Sequence, residues 1–429
     1  MGSCSMLLIS ILILSLLAVL NYSLGAKALF HPAVVYSASW AGGLTILLLA
    51  RDWFYSLSDK TLLIFVGGAV AFSLGSGIAF LFPQPRREGA TGPLSFRFIN
   101  VLLIVLGCGA PFAVIWMFRQ VEAHPAGNFF VSASLTMLDD GVQGSLGYSL
   151  FANCVTLANL IALVVFCEKK RYKRTWWAVI AVTLVLNALT AGRAGFVTLV
   201  FALVCLDWFK DQRVHWKVFA SFGLIFALAV VGLAVFLGKA TASTEASVSE
   251  NATPVIRGVA LYAAGSLVAF DQVVRDPNVV PHTWKISAPI AHIWHRFDPQ
   301  VKETDSDTQY VGVGPYDLEI NTYTGYFAYI DFGYLGMMSL TLLMGFLISL
   351  AYRKALTGSK TWQIMYAALF AGLPLSLYGE YFFRGFNVLS KLYLLLCLVY
   401  WLPGAWYAGS RLLRRSIERD LAPYRTGTP

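Results

Sequence analysis

Long apolar stretches repeat along almost the whole chain, and no other sequence feature restricts the fold as strongly. Stretches close to the length of a membrane span, about 20 residues, recur between Ser5 and Tyr407. Of the 429 residues, 57% are hydrophobic and only 13% are charged, which is about half the charged share of a soluble domain. A soluble core cannot bury so many continuous apolar stretches. The sequence therefore predicts an all-α polytopic membrane protein.

The apolar stretches predict about 11 transmembrane helices. Their ranges are 5–24, 30–50, 61–82, 98–118, 147–167, 175–191, 194–209, 217–238, 323–350, 362–378 and 388–408. Three parts follow from this assignment. Residues 1–238 hold transmembrane helices 1 to 8, residues 239–322 form a long extramembrane loop, and residues 323–429 hold transmembrane helices 9 to 11 and a tail.

Basic residues predict which side of the membrane each loop faces. The densest cluster, between Lys169 and Arg174, is assigned to the cytoplasm because short loops rich in Lys and Arg stay there. Alternation of the spans then places 20 of the 32 basic residues in the cytoplasm. The N-terminus and the loop 239–322 are predicted outside. This asymmetry explains the net charge of +9, so the charge does not indicate a nucleic-acid partner.

The long loop is predicted to contain a short helix of its own. Thr253 followed by Pro254 is typical of a helix start, with a capping side chain and then a proline in the first turn. The run behind it, Val255–Val274, is apolar apart from Arg257 and Asp271, so its uninterrupted apolar part is short for a membrane span. It therefore predicts an interfacial or re-entrant helix.

Two short motifs place an arginine at the predicted outer ends of spans, where an ionisable group is costly and needs a reason. In TAGRAGF, Arg193 is either a snorkelling residue that caps helix ends or a fixed cation for an anionic head group. In YGEYFFRGFN, Glu380 and Arg384 form either an i,i+4 ion pair or a phosphate-binding cation beside a proton acceptor. The sequence leaves both alternatives open.

Two further segments carry polar residues on the predicted outer side. The stretch 314–336 contains Asp317, Asn321 and Tyr323, and part of it is expected to form an aromatic belt at the head-group level. The segment IAHIWHRFD contains His292 three residues before a second histidine, and Arg296 follows. A zinc site usually needs further ligands at defined spacing, and none is evident, so the sequence predicts no metal and no cofactor.

The arginines of this outer side suggest a substrate class. They are Arg193, Arg257, Arg296 and Arg384, with many tyrosines and tryptophans nearby in the sequence. A guanidinium donates paired hydrogen bonds to phosphate oxygens, and aromatic faces stack well on sugar rings. A molecule with a lipid tail, a diphosphate and a glycan matches these properties, and the predicted partners are such a molecule and membrane lipids.

The pattern resembles the bacterial O-antigen polymerases, which join oligosaccharide repeat units. The matching elements are the GRAG turn (Gly192–Gly195), the long outer loop before the late spans, and NTYTGYFAYIDFGYLG at residues 321–336. The resemblance implies a GT-C-like fold and a metal-independent glycosyltransferase facing the periplasm from a bacterial inner membrane. Such enzymes move glycan from undecaprenyl diphosphate to the non-reducing end of another lipid-linked repeat unit.

Roles follow for individual residues if this resemblance holds. A base must accept the proton of the acceptor hydroxyl, and the candidates are Glu380, Asp317 and His292, with Asp139 and Asp140 in reserve. Cations must stabilise the leaving diphosphate. The predicted substrate-binding residues are Arg193, Arg257, Arg384, Arg296, Asn321 and Tyr323.

Two other functions stay open at this point. An O-antigen ligase takes the same donor but delivers the glycan to the lipid A core. A flippase or other transporter moves lipid-linked sugars without making or breaking bonds. Transporters of this kind usually have short loops and two similar halves, so the 84-residue outer loop argues against this function. The sequence does not decide whether a polysaccharide chain-length regulator binds the chain.

Overall fold

Helices make up almost all of the part of the chain that the computed structural model describes. The described residues are 2–25, 28–83, 96–123, 145–167, 173–189, 193–213, 256–276, 310–316, 318–321, 323–383 and 386–397, with the single positions 129, 132, 133, 136, 142, 215, 217, 220 and 399. Within them, strand pairing is confined to β1 (Val311–Gly312) and β2 (Glu319–Ile320), which are antiparallel.

Eleven α-helices are described. They are α1 (Gly2–Leu24), α2 (Pro32–Leu49), α3 (Asp59–Leu81), α4 (Phe96–Ala123), α5 (Leu146–Cys167), α6 (Lys173–Leu189), α7 (Arg193–Asp211), α8 (Ser266–Arg275), α9 (Ala328–Leu356), α10 (Lys360–Leu375) and α11 (Phe386–Leu396). Short 3₁₀ turns occupy Arg51–Trp53 and Gly325–Phe327, and a π-helical turn, Leu261–Gly265, leads into α8.

Six of the described helices are long and apolar enough to cross a membrane. They are α1, α2, α3, α4, α5 and α9, and α6 contains a shorter apolar helix, Thr175–Leu189. A helix satisfies its own backbone groups, which lipid cannot do. These helices support the predicted all-α membrane protein. The predicted span 217–238 falls outside the described ranges apart from two single positions, so the total of about 11 spans stays a prediction.

Among the described helices, α3 and α9 pack closely against each other over much of their length. A side chain on Gly75 would collide with the carbonyl of Leu342, and one on Gly345 would collide with the carbonyl of Phe72. Small residues of this kind let membrane helices approach closely enough for backbone contact. The hydroxyl of Ser349 donates a 2.7 Å hydrogen bond to that of Ser76 in the same interface.

Replacing Gly75 by alanine is therefore expected to lower the stability of the bundle. The added methyl group forces the two backbones apart, and overpacking of this kind costs about 1–3 kcal/mol. Gly77 lies on the same helix with open space beside it, so Gly77→Ala is the matched control and is expected to be neutral or stabilising. Thermal unfolding in detergent compares the two variants. Equal unfolding midpoints for both would contradict the close approach of α3 and α9.

The two ends of the α3 and α9 pair are called the Ser58 end and the Arg353 end. The Ser58 end is where α3 begins, and the Arg353 end is where α3 finishes. At the Arg353 end, the Arg353 side chain is buried and donates hydrogen bonds to the backbone carbonyls of Ala79 and Phe82. A cation favours the carbonyl end of a helix. The predicted span 323–350 ends before this residue, whereas α9 continues to Leu356.

The Ser58 end holds the helix that the sequence predicts inside the long loop. Residues 256–275 are helical, and the core of this segment is buried rather than exposed at a surface. Asp271 is completely buried, and its Oδ1 accepts hydrogen bonds from the Ser58 amide at 2.9 Å and the Ser58 hydroxyl at 2.6 Å. Its Oδ2 forms a 2.7 Å ion pair with Nε of Arg275. These contacts tie α8 to the start of α3.

Candidate functional site

A turn after α10 places Glu380 inside the bundle at the Ser58 end. Pro374 lacks a backbone N–H, and α10 ends one residue later. Residues 376–383 then form a turn, the Glu380 turn, that leads toward α11. Only 8% of Glu380 is exposed, and its Oε1 accepts hydrogen bonds from the backbone amides of Phe382 at 2.7 Å and Phe383 at 3.0 Å. The predicted proton acceptor is therefore a buried carboxylate whose orientation is fixed by two backbone hydrogen bonds.

Aromatic side chains from α2 and from the turn before α9 pack beside the Glu380 turn. Tyr326 is completely buried, and its ring stacks on that of Trp40 with centroids 4.3 Å apart. Tyr36 stacks on Phe72 at 4.0 Å. The Tyr36 ring also lies edge-on to that of Tyr326, with centroids 6.5 Å apart. The sequence did not single out Tyr36 or Trp40, because aromatic residues inside an apolar span indicate only packing.

The turn before α9 is part of the stretch for which an aromatic belt was expected. The Gly325 amide donates a 2.6 Å hydrogen bond to the Ser376 carbonyl, which joins this turn to the Glu380 turn. Tyr323 and Tyr326 are both buried, so neither forms part of a belt. Tyr316 and Tyr334 are about half exposed, as a belt requires.

A cavity of about 250 Å³ adjoins the Glu380 turn. Its walls come from α5, α7, α10 and α11, and Tyr381 and Phe382 of the turn itself contribute to the lining. Most of the lining is apolar, but Thr156, Asn159 and Thr198 add polar groups. Pockets with a mainly apolar lining and a few polar groups are the usual form of small-molecule sites.

The described residues of the GRAG motif lie at the start of α7, which forms one wall of this cavity. Arg193 is the first residue of α7, and Thr198 in the cavity wall lies little more than one helical turn further on. Gly195 packs so closely on the amide of Asn187 that any larger residue would collide with it. Asn187 in turn donates a 3.0 Å hydrogen bond to Asn159, a cavity residue. The helix that follows the GRAG motif and the Glu380 turn thus both contribute to this cavity, while the side chain of Arg193 is outside the described residues.

Arg257 lies among aromatic residues at the Ser58 end. Its guanidinium is 4.1 Å from the ring centroid of Tyr316 and 5.7 Å from that of Trp53. Its Nε is buried and makes no hydrogen bond to the described residues. The helix that carries Arg257 is joined to the Glu380 turn, because the Ser266 hydroxyl donates a 2.6 Å hydrogen bond to the Leu377 carbonyl. Cation–π contacts hold the guanidinium without neutralising its charge.

The remaining predicted site residues lie partly inside and partly outside the described part of the chain. Asn321 directly follows β2 and is partly buried, and Tyr323 is buried before the turn that leads into α9. Asp317, His292, Arg296 and Arg384 lie outside the described residues, as do Asp139 and Asp140, and their predicted roles stay predictions. Within the described ranges, no three His, Cys, Asp or Glu side chains come together as a metal site would require.

The described helices define a broad class for this chain, an all-α protein with several helices able to cross a membrane. Comparisons with protein-family models, with curated proteins and with solved structures found no match.

Proposed function

We propose that this chain is an oligosaccharide repeat-unit polymerase of the bacterial inner membrane, with about 11 spans in a GT-C-like fold. The Ser58 end faces the periplasm, and the cavity and the Glu380 turn belong to its active site. The observation that carries this proposal is the buried Glu380 carboxylate, because the next two residues of its turn line a cavity to which α7, the helix after the GRAG motif, also contributes. Intramembrane ionisable residues are expensive, and they are usually retained for a function.

The proposed reaction transfers a glycan from one lipid diphosphate carrier to another lipid-linked repeat unit. A hydroxyl oxygen at the non-reducing end of the acceptor attacks the anomeric carbon of the donor glycan. The bond from this carbon to the diphosphate oxygen breaks, and its electron pair leaves with undecaprenyl diphosphate. Glu380 accepts the proton of the attacking hydroxyl as general base. The held orientation of its carboxylate favours this transfer, because a fixed base needs little reorganisation.

Arginine side chains take over the stabilisation of the leaving diphosphate in this proposal. Arg257 offers a guanidinium that has no carboxylate among its described contacts and has an unpaired Nε. Guanidinium groups bind phosphate oxygens strongly and stabilise charge as it develops. In this proposal Arg193 and Arg384 also bind the diphosphate. Arg296, Asn321 and Tyr323 bind the glycan. Tyr316 and Trp53 beside Arg257 give flat faces on which sugar rings stack.

Surface polysaccharide from a deletion strain tests the proposal. Loss of the chain is expected to leave single repeat units on lipid A, and the wild-type gene is expected to restore the long-chain ladder. Arg257→Ala is expected to lower the transfer rate about tenfold or more, because a hydrogen bond between charged groups is lost, and the ladder shortens. Arg51→Ala is the matched control, since Arg51 is an exposed arginine at the same end.

Two other results from the deletion strain contradict the polymerase. Free lipid-linked polymer that never reaches lipid A identifies a ligase. Lipid-linked intermediates held on the cytoplasmic face identify a transporter. A normal ladder from the Arg257→Ala strain removes Arg257 from the diphosphate site.

A further inference from the structure

Asn159 presents a side-chain amide to the cavity beside the Glu380 turn. It lies in α5, is partly buried, and lines the cavity together with Thr156, which precedes it by nearly one helical turn. Thr198 of α7 adds a second hydroxyl to the lining. Among the described residues, the lining holds no charged side chain. The cavity therefore fits an uncharged group that can make hydrogen bonds.

The orientation of the Asn159 amide follows from its contact with Asn187. Asn187 is buried, and its Nδ2 donates to the Thr183 carbonyl at 2.8 Å and to Oδ1 of Asn159 at 3.0 Å. A backbone carbonyl only accepts hydrogen bonds, so the contact with Thr183 fixes which end of the Asn187 amide is its NH₂ group. Since Oδ1 of Asn159 accepts from that group, the NH₂ group of Asn159 is left to donate on the side of the cavity.

The NH₂ group and the neighbouring hydroxyls complement a secondary amide. The Thr156 hydroxyl donates to the Ala152 carbonyl at 2.9 Å, so its oxygen is left to accept from a ligand. An acylamino group has a carbonyl that accepts from an NH₂ group, an N–H that donates to a hydroxyl oxygen, and a methyl group that favours an apolar wall. A site with buried hydrogen-bonding groups discriminates strongly against a ligand that leaves them unpaired.

We propose that this cavity binds an acylamino group carried by a sugar of the transferred glycan, and this inference rests on the proposed function. The NH₂ group of Asn159 donates to the acyl carbonyl, and the Thr156 hydroxyl accepts from the acylamino N–H. The methyl group packs on the apolar side chains of the lining. Tyr381 and Phe382 line the cavity from the Glu380 turn, so the sugar that carries the group lies beside that turn.

Two octyl glycosides that differ in a single group test this site. The octyl glycoside of N-acetylglucosamine and octyl glucoside share the tail and the sugar ring, but only the first carries an acylamino group. Purified protein in lipid nanodiscs is titrated with each radiolabelled glycoside below its micelle concentration, and empty nanodiscs give the background. The acylamino glycoside is expected to bind about tenfold more tightly. This measurement involves no transfer of glycan.

Asn159→Asp removes the donor from the cavity and keeps an acceptor for Asn187. A carboxylate oxygen then faces the acyl carbonyl, so binding of the acylamino glycoside is expected to weaken about tenfold. Binding of octyl glucoside is expected to stay the same, which shows that the protein is folded. The matched control is Asn153→Asp on the same helix. Asn153 is exposed and accepts a 3.3 Å hydrogen bond from Lys391, and its replacement is expected to leave the preference unchanged.

Equal binding of the two glycosides by the wild-type protein overturns this inference, and so does an unchanged preference in Asn159→Asp. Glycerophospholipid that stays with the wild-type protein in detergent and is lost from Asn159→Asp also overturns it, because an ester carbonyl of a membrane lipid then occupies the cavity. A tenfold preference in a protein that transfers no glycan between lipid-linked repeat units leaves the acylamino site in place and removes the proposed function instead.

Discussion

Replacing Glu380 by glutamine is expected to stop chain extension while the protein stays folded. The amide oxygen of glutamine can still accept the hydrogen bonds from Phe382 and Phe383, so the turn keeps its shape. The amide cannot accept a proton, and loss of a general base costs about 10²–10⁴ in rate. Transfer of glycan between lipid-linked repeat units, followed by gel analysis of chain length, measures this loss.

Glu319 provides the matched control for Glu380. It lies in β2 at the same end of the bundle, but its side chain is exposed. Glu319→Gln is expected to leave the transfer rate unchanged. Substrate binding is measured separately, because a loss in the binding constant with a normal maximum rate would assign Glu380 to binding and contradict its role as base.

The membrane itself made the helices predictable. A span must be about 20 residues long and apolar, so α1 to α5 begin and end close to the predicted ranges. Helix ends were predicted less well, and Arg353 shows why. The basic pair Arg353 and Lys354 after an apolar run indicates the end of a span, but Arg353 is still inside α9 and bonds to the carbonyls of Ala79 and Phe82 where α3 ends. No local sequence pattern reveals such a partner.

The candidate site was predictable only for residues that are unusual in a membrane. Glu380 was noticed because a carboxylate beside apolar spans is costly. Tyr36 and Trp40 were not, because their ring stacking resembles ordinary core packing and their unpaired polar atoms appear only in three dimensions. The cavity was equally hidden, since α5, α7, α10 and α11 each contribute a few residues and these helices are far apart in sequence.

Asp271 shows that a contact important for stability is equally hard to predict from the sequence. The sequence places one acid in an otherwise apolar helix but does not say what it binds. In the structure its carboxylate reaches Ser58, 213 residues earlier, at the residue that caps α3. The Ser58 hydroxyl accepts from the Thr61 amide at 3.3 Å while its proton can go to Asp271. One side chain therefore anchors a helix of the long loop to the membrane bundle.

Removal of this carboxylate by Asp271→Ala is expected to destabilise the protein by about 3 kcal/mol. Two donors of Ser58 lose their acceptor in a buried place, and Arg275 loses its partner. Arg275 is half exposed and regains water, which keeps the loss at the lower end for a buried ion pair. Denaturant titration in detergent, followed by loss of helix signal, measures the free energy of unfolding.

The matched control is Asp52→Ala at the same end of the bundle. Asp52 forms a 3.7 Å ion pair with Arg51 in which both side chains are mostly exposed, so its removal is expected to cost less than about 1 kcal/mol. Asp271→Asn is expected to fall between the two, because an amide oxygen still accepts from Ser58 but carries no charge for Arg275. The loss of a buried acceptor from two donors must lower the denaturant concentration at the unfolding midpoint. If Asp271→Ala unfolds at the same denaturant concentration as Asp52→Ala, then α8 is not anchored to α3 through this carboxylate.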